Sequence, residues 1–341
     1  MADAPARKPL SLALQGGGSH GAFTWGVLDA LIEDGRLSFE AISGTSAGAM
    51  NAVVLADGFA QGKAAGARER LQKFWRGVSR DSGPAGAADA ILDRIFGFWK
   101  MPGFDPFGAL QQFTTLASPY SMNPLNINPL RGLLESLVDF AAVMKSSRPR
   151  LFISATNVRT GKIKVFTGAE VTADAILASA CLPYLFQAVE VGSDAYWDGG
   201  YSGNPALYPF FETAAPEDIL LVQVNPVRRD AIPRTASEIM ERVSEITFNS
   251  SMLREFRAID FVNRLMAEHR LDPHRYRENR LHRIDATHAL RNYAASTKFD
   301  TSWSFFQELQ RAGRRAGRAW LDEHYADIGV RSTLDLRAEF M

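Results

Sequence analysis

Within its first sixty residues the chain twice passes from a short apolar segment, through a glycine-rich turn, into a run with helical spacing. Leu10 to Gln15 is stopped by Gly16-Gly17-Gly18, after which Phe23, Val27, Leu28 and Leu31 mark one side of a helix over Ala22 to Glu33. Phe39 to Ser43 is followed by Gly44-Thr45-Ser46-Ala47-Gly48, and Ala47 to Ala56 reads as the next helix. Alternation of this kind builds a parallel sheet, because parallel neighbours need a crossover and the crossover places a helix on a sheet face. The expected class is α/β.

Both turns carry chemistry. Gly44-Thr45-Ser46-Ala47-Gly48 fits G-x-S-x-G, in which a serine stands on a sharp strand-to-helix turn whose flanking residues must be small. Ser46 would then sit at a helix N-terminus, where backbone N–H groups without helical partners can receive a developing oxyanion. Small residues around a serine also occur in plain turns and helix caps, so the pentapeptide alone does not decide. Gly16-Gly17-Gly18-Ser19-His20-Gly21 satisfies G-x-G-x-x-G, the pattern of a dinucleotide site. A dinucleotide-binding unit would end its second strand in an acidic residue for the ribose, whereas Glu40 lies at the start of that strand. A hydrolase accounts for both loops together. Its first loop would supply N–H donors, and its second the nucleophile and the N–H of Ala47.

Further along, Gly62 to Arg80 reads as a helix and Ile91 to Phe113 is unusually aromatic but broken by glycine and proline. This aromatic stretch reads either as core packing or as a movable cover over an apolar site, with Trp99 and Phe104 as its exposed contacts. Pro129 to Met144 is a further helix. Strands are expected at Arg150 to Asn157, Lys162 to Thr167, Ala188 to Val191 and Asp218 to Asn225, and Thr172 caps a helix reaching Ala180. Thr235-Ala236-Ser237-Glu238 fits a capping box ahead of a long helix. A boundary falls near residue 230, beyond which the chain is mainly helical with one strand at Leu281 to Ile284. Arg311, Arg314, Arg315 and Arg318 form one basic helical stripe, either a solvated face or a patch for acidic lipid.

The 341 residues contain 38 basic and 38 acidic side chains, so no global charge favours nucleic acid. Cys181 is the only cysteine, which leaves no disulfide framework and no cysteine-based metal site. The start of the chain has no apolar signal segment and no later run approaches spanning length, giving the expectation of a cytoplasmic protein at most peripheral to a membrane.

A serine nucleophile needs a base within hydrogen-bond reach. His269, His274, His282, His288 and His324 all lie in the charged C-terminal third, where solvated or capping roles suit them. Asp198 is followed by Gly199-Gly200, which would let its backbone approach another loop closely, although an ordinary Asp-Gly turn reads the same way.

In order along the chain, the Gly16–Gly21 loop, the Gly44–Gly48 elbow, Ala178-Ser179-Ala180-Cys181-Leu182-Pro183 with Phe186, Asp198-Gly199-Gly200 and Asn204-Pro205 resemble the motifs of the patatin-like phospholipase family. The resemblance spans roughly residues 8 to 226 and implies a three-layer α/β/α sandwich with a mostly parallel central sheet. Residues 233 to 341 would form a mainly helical C-terminal extension. It also implies a Ser46–Asp198 dyad without catalytic histidine, an oxyanion hole from Gly16, Gly17, Gly18 and Ala47, and no metal or organic cofactor. The family commonly has Arg or Lys where this chain has His20, so His20 is either an electrostatic substitute or a packing residue. The expected activity is hydrolysis of a lipid ester through an acyl-Ser46 intermediate, with phospholipid, lysophospholipid, acylglycerol and soluble or hydroxyalkanoate esters all open. An NAD(P)-dependent oxidoreductase and a silent membrane- or partner-binding scaffold are the competing classes.

Overall fold

The structure, a computed structural model, describes residues 7–79, 118–211, 215–291, 293 and 295–340. The first apolar segment forms Lys8–Leu14 (β1) and the second Leu37–Thr45 (β2), paired in parallel and separated by helix α1, Gly21–Asp34. From Leu10 onward β1 is buried on both faces, as expected for a central strand of a covered parallel sheet. Helix α2, Ala47–Val78, follows the elbow and is interrupted at Gly62 and Lys63, which leave helical geometry; Lys63 has φ 53°. The two halves fold back on each other where Gly58 meets Ala67 and Gly66, a crossing too close for a side chain. The two helices read in sequence are thus present, folded against each other across this break.

Helices α3 (Pro129–Leu137) and α4 (Phe140–Lys145) lead to β3 (Arg150–Asn157) and β4 (Ile163–Thr167). Thr172 caps α5 (Ala173–Ser179) by accepting the Ala175 N–H. Strands β5 (Val189–Val191) and β6 (Asp194–Asp198) come next, then β7 (Asp218–Gln223). β6 is not among the expected strands; its Asp-Ala-Tyr-Trp-Asp sequence runs straight into Gly199-Gly200.

The long helix α6, Ala236–Ala267, opens with the expected Thr235–Glu238 capping box. The C-terminal strand β8, Arg280–Asp285, pairs in parallel with β7, so the sheet runs β5-β6-β3-β2-β1-β7-β8 with β4 on the free edge of β3. Then comes α7, Trp303–His324, followed by the short helix Leu336–Phe340.

The sheet has two apolar faces. On one, α1, α2 and α7 bury Phe23, Val27, Met50, Phe74, Trp75 and Phe306; on the other, Met252, Phe256 and Ile259 of α6 cover Ala13, Ile219 and Leu281. This is the three-layer α/β/α arrangement. The contact of α7 with α1 is close because glycines meet there: a Cβ on Gly26 would strike the Gln310 carbonyl, and one on Gly313 the Phe23 carbonyl. Arg314 and Arg318 reach Glu33 at 2.5 and 2.7 Å, and Arg314 also pairs with Asp29. Half of the basic stripe is thus bound to α1, while Arg311 and Arg315 stay exposed. The aromatic stretch from Ile91 to Phe113, with Trp99 and Phe104, lies outside the described residues. Among the described residues no helix is long and apolar enough to cross a membrane.

Candidate active site

The site is built where two strands meet end to end along β3. β2 pairs in parallel with Arg150 to Ser154, and β6 pairs antiparallel with Ala155 to Asn157. β4 already occupies the other edge of β3 from Phe152 to Thr156, so β6 must continue along the edge that β2 vacates. Thr45 at the end of β2 is registered with Ser154, and Asp198 at the end of β6 with Ala155. Neighbouring positions of one strand therefore hold Ser46 and Asp198 facing each other, although they are far apart in sequence. The approach explains Gly199: a Cβ there would collide with the Ser154 carbonyl and come within 3.0 Å of the Thr45 methyl.

Ser46 has φ 54° and ψ −121°, a conformation that residues with side chains seldom adopt. It is held by its surroundings. The Ser46 N–H donates to Ser179 Oγ at 2.9 Å, Thr45 Oγ1 donates to the Gly203 carbonyl at 2.7 Å, and Ser43 Oγ to the Ala206 carbonyl at 2.5 Å. Gly44 lies against the Gly48 carbonyl, 2.7 Å from where a Cβ would stand, and a Cβ on Gly48 would strike the Leu14 carbonyl. The small residues of the elbow are thus required by backbone-to-backbone packing of the turn on β1.

Asp198 is fully buried. Its N–H donates to the Cys181 carbonyl at 2.7 Å, and its carbonyl accepts from Thr156 Oγ1 at 2.8 Å. Oδ1 accepts the Gly200 N–H at 2.7 Å, whereas Oδ2 makes no hydrogen bond of good geometry among the described residues. Burial pushes the carboxyl up to about 6, against the opposing pull of the Gly200 N–H, the Ser46 hydroxyl and the Lys298 ammonium. The carboxylate is therefore a stronger base than an exposed aspartate and still mostly ionised at pH 7.

The glycine loop stands opposite. Gly16 N–H is already engaged by Asn204 Oδ1 at 2.7 Å, and its carbonyl accepts from Asn225 Nδ2 at 2.6 Å. The N–H groups of Gly17, Gly18 and Ala47 form no hydrogen bond among the described residues, and all three residues line the same cavity as Ser46 and Asp198. Gly16 thus anchors the loop, and the available donors are the other three. Gly18 has φ 58°, a conformation natural to glycine.

His20 does not line this cavity. Its Nε2 lies 2.8 Å from Thr297 Oγ1 and its ring stands edge-on to Phe305, both in the C-terminal extension. Burial, followed by the Lys298 and Arg229 charges, drives its pKa well below the usual histidine range, so the ring is neutral. The structure gives this side chain a packing place between the glycine loop and the extension. Cys181 is buried and its thiol is pushed up to about 12 by burial and by Asp198, as befits an inert packing residue. His282, another buried histidine, serves the sheet edge instead, with Nε2 3.0 Å from Asp218 and Nδ1 3.0 Å from Thr333 Oγ1.

The cavity measures about 430 Å³ and is walled mainly by apolar side chains, among them Met50, Phe74, Leu133, Leu185 and Phe248. Three of its features were not foreseen from sequence. Ser179 bonds the elbow, Asn204 bonds the glycine loop, and Lys298 reaches in from the C-terminal extension. Ser179 and Asn204 lie within noted motifs, but a lone lysine in a helical segment carries no pattern that could mark it.

Residues 12–211 match the family described as patatin-like phospholipase. Among solved structures, VipD from Legionella pneumophila is similar at 15% identity and a TM-score of 0.34, over 91% of this chain and 68% of that one. A chain of the heterodimeric ExoU–SpcU complex from the type III secretion system of Pseudomonas aeruginosa is similar at 20% identity and a TM-score of 0.31, over 72% of this chain and 51% of that one. A comparison with curated proteins finds no match.

Proposed function

Since the chain belongs to the patatin-like phospholipase family of lipid acyl hydrolases, we propose that Ser46 and Asp198 act as its nucleophile and base on a long-chain lipid ester. The observation that carries this reading is the end-to-end meeting of β2 and β6 on β3, which sets a strained serine against a buried carboxylate on which the Ser46 hydroxyl acts.

In the first half-reaction Ser46 Oγ attacks the acyl carbonyl carbon while Asp198 takes the hydroxyl proton. The oxygen that gains charge is received by the N–H groups of Gly17, Gly18 and Ala47, which have no other hydrogen-bond partner among the described residues. The tetrahedral species collapses by breaking the ester C–O bond, and Asp198 returns the proton to the departing alcohol. In the second half-reaction a water attacks the acyl-Ser46 ester, again giving a proton to Asp198. Fatty acid leaves and the proton returns to Ser46 Oγ. The acyl chain lies along the apolar wall of the cavity, whose burial of methylene groups contributes about 0.8 kcal/mol each.

The test is a panel of esters spanning acyl length and headgroup, run with wild type and Ser46→Ala, together with labelling by a fluorophosphonate. Hydrolysis that persists in Ser46→Ala, or a label found elsewhere than Ser46, would remove the dyad.

A further inference from the structure

Among the described residues lining the cavity, Lys298 is the only basic one and Asp198 the only acidic one. It belongs to the short 3-10 segment Ala295–Phe299, which lies directly on the glycine loop: a Cβ on Gly18 would come within 2.5 Å of the Lys298 carbonyl. Its ammonium group donates to Asn225 Oδ1 at 2.8 Å. Asn225 is itself fixed, since its N–H and Nδ2 both donate to Gln15 Oε1 and its Nδ2 also donates to the Gly16 carbonyl. Gln15 is held in turn by Asn249. The cation is therefore tied through one buried amide chain to the loop that carries the oxyanion donors.

No carboxylate of the described residues lies within ion-pair distance of Lys298. Glu245, a nearby acid on α6, is already held by Arg229 at 2.6 Å and Arg242 at 3.1 Å. Its other charged neighbours are Glu241, Arg229 and Asp198, and Phe248 presents its ring 5.9 Å away. Lys298 is half-buried, an ammonium partly removed from water gains from an anion beside it, and an amide oxygen satisfies only one of its three protons. Burial accordingly lowers its pKa, which a bound anion would restore. The oxyanion of the reaction already has three backbone donors, so the ammonium protons without a partner among the described residues, beside the cavity-lining Phe248, are available to a different anion.

We propose that Lys298 is a specificity-determining residue that receives the phosphate of a phosphate-bearing lipid ester while Ser46 attacks its acyl carbonyl, so that the enzyme selects such esters over uncharged ones. The inference rests on the acyl hydrolase reading above. Ser19, Ser244 and Thr301 also line the cavity and supply neutral hydroxyls for the remaining phosphate oxygens.

The test compares dioctanoyl phosphatidylglycerol with dioctanoylglycerol in the same mixed micelles, using the full chain. Wild type prefers the phosphate-bearing ester, and Lys298→Met lowers the ratio of the two kcat/KM values at least tenfold, while Lys298→Arg keeps most of it. An unchanged ratio in Lys298→Met, or a wild type that prefers the uncharged lipid, overturns the proposal. A parallel loss on both lipids does so too, since it would make the lysine an oxyanion or packing residue. A second measurement needs no variant: octyl phosphate should compete with p-nitrophenyl octanoate at least tenfold more tightly than octanol, and inorganic phosphate should compete weakly. Equal inhibition by octyl phosphate and octanol is again a refutation. If wild type hydrolyses neither lipid and Ser46 takes no fluorophosphonate label, the acyl hydrolase reading itself has failed. Hydrolysis of dioctanoylglycerol alone would spare that reading and remove only the role of Lys298.

Discussion

Replacing Asp198 by Asn should destroy activity and at the same time make the protein more stable. The carboxyl has no exposure, and burial moves its pKa from 3.8 to about 6. Because the folded-state pKa is raised, the folded protein holds this proton between pH about 4 and 6 while the unfolded chain has released it. Stability contributed by the group therefore falls as pH rises through that window. At 1.36 kcal/mol per pKa unit, the charged carboxylate costs the native state about 3 kcal/mol above pH 6. Asn mimics the neutral acid, and its carbonyl oxygen can still accept the Gly200 N–H. The variant should thus gain about 3 kcal/mol at pH 7.5, about half of that at pH 5, and nothing below pH 4. Urea unfolding of both proteins at matched pH measures the difference. Glu255 is also pushed up, to about 7, by burial, but its contribution is common to both proteins and cancels. An Asn variant no more stable than wild type at pH 7.5, or with the same gain at pH 5, would refute the claim that the native state holds a costly charge at this position.

Ser46→Ala should lose fluorophosphonate labelling and at least about 10³-fold in kcat, with the unfolding midpoint no lower than wild type, since the strained position loses only a hydroxyl. The kcat/KM of wild type should fall about tenfold per pH unit below pH 6 as Asp198 is protonated, and a profile flat down to pH 5 would contradict its role as base. Gly48→Ala should cost about 3 kcal/mol or more, because its Cβ strikes the Leu14 carbonyl of a central strand; unchanged stability by urea unfolding would contradict that packing. Gly313→Leu should separate α7 from α1, lowering the unfolding midpoint and exposing Trp320, read as a red-shifted tryptophan emission.

Much of the framework was legible along the chain, because its signals are local. Apolar runs ending in glycine marked β1 and β2, Thr172 and the Thr235–Glu238 box marked helix starts, and G-x-S-x-G marked the elbow. Strand β6 was not legible, since five residues with a charge at each end lack a clear apolar alternation. The break in α2 was legible as the gap between the helices read at Ala47 to Ala56 and Gly62 to Arg80, but not its geometry, in which Lys63 adopts a positive φ that no composition rule assigns to lysine.

Residue types and their order by themselves determined that a serine on a sharp turn, a glycine-rich loop and an Asp-Gly-Gly turn would be present on an α/β frame. Each depends on steric and hydrogen-bonding properties of a few adjacent residues, which a linear sequence records. Only the tertiary structure decided which of these groups meet. Asp198 faces Ser46 because β4 leaves β6 a single edge of β3 to join, Gly16 is an anchor because Asn204 reaches it, and Lys298 enters the cavity because β8 and α7 bring the C-terminal third back against the glycine loop. These are long-range contacts set by sheet pairing and helix packing, in which the partners share no local pattern.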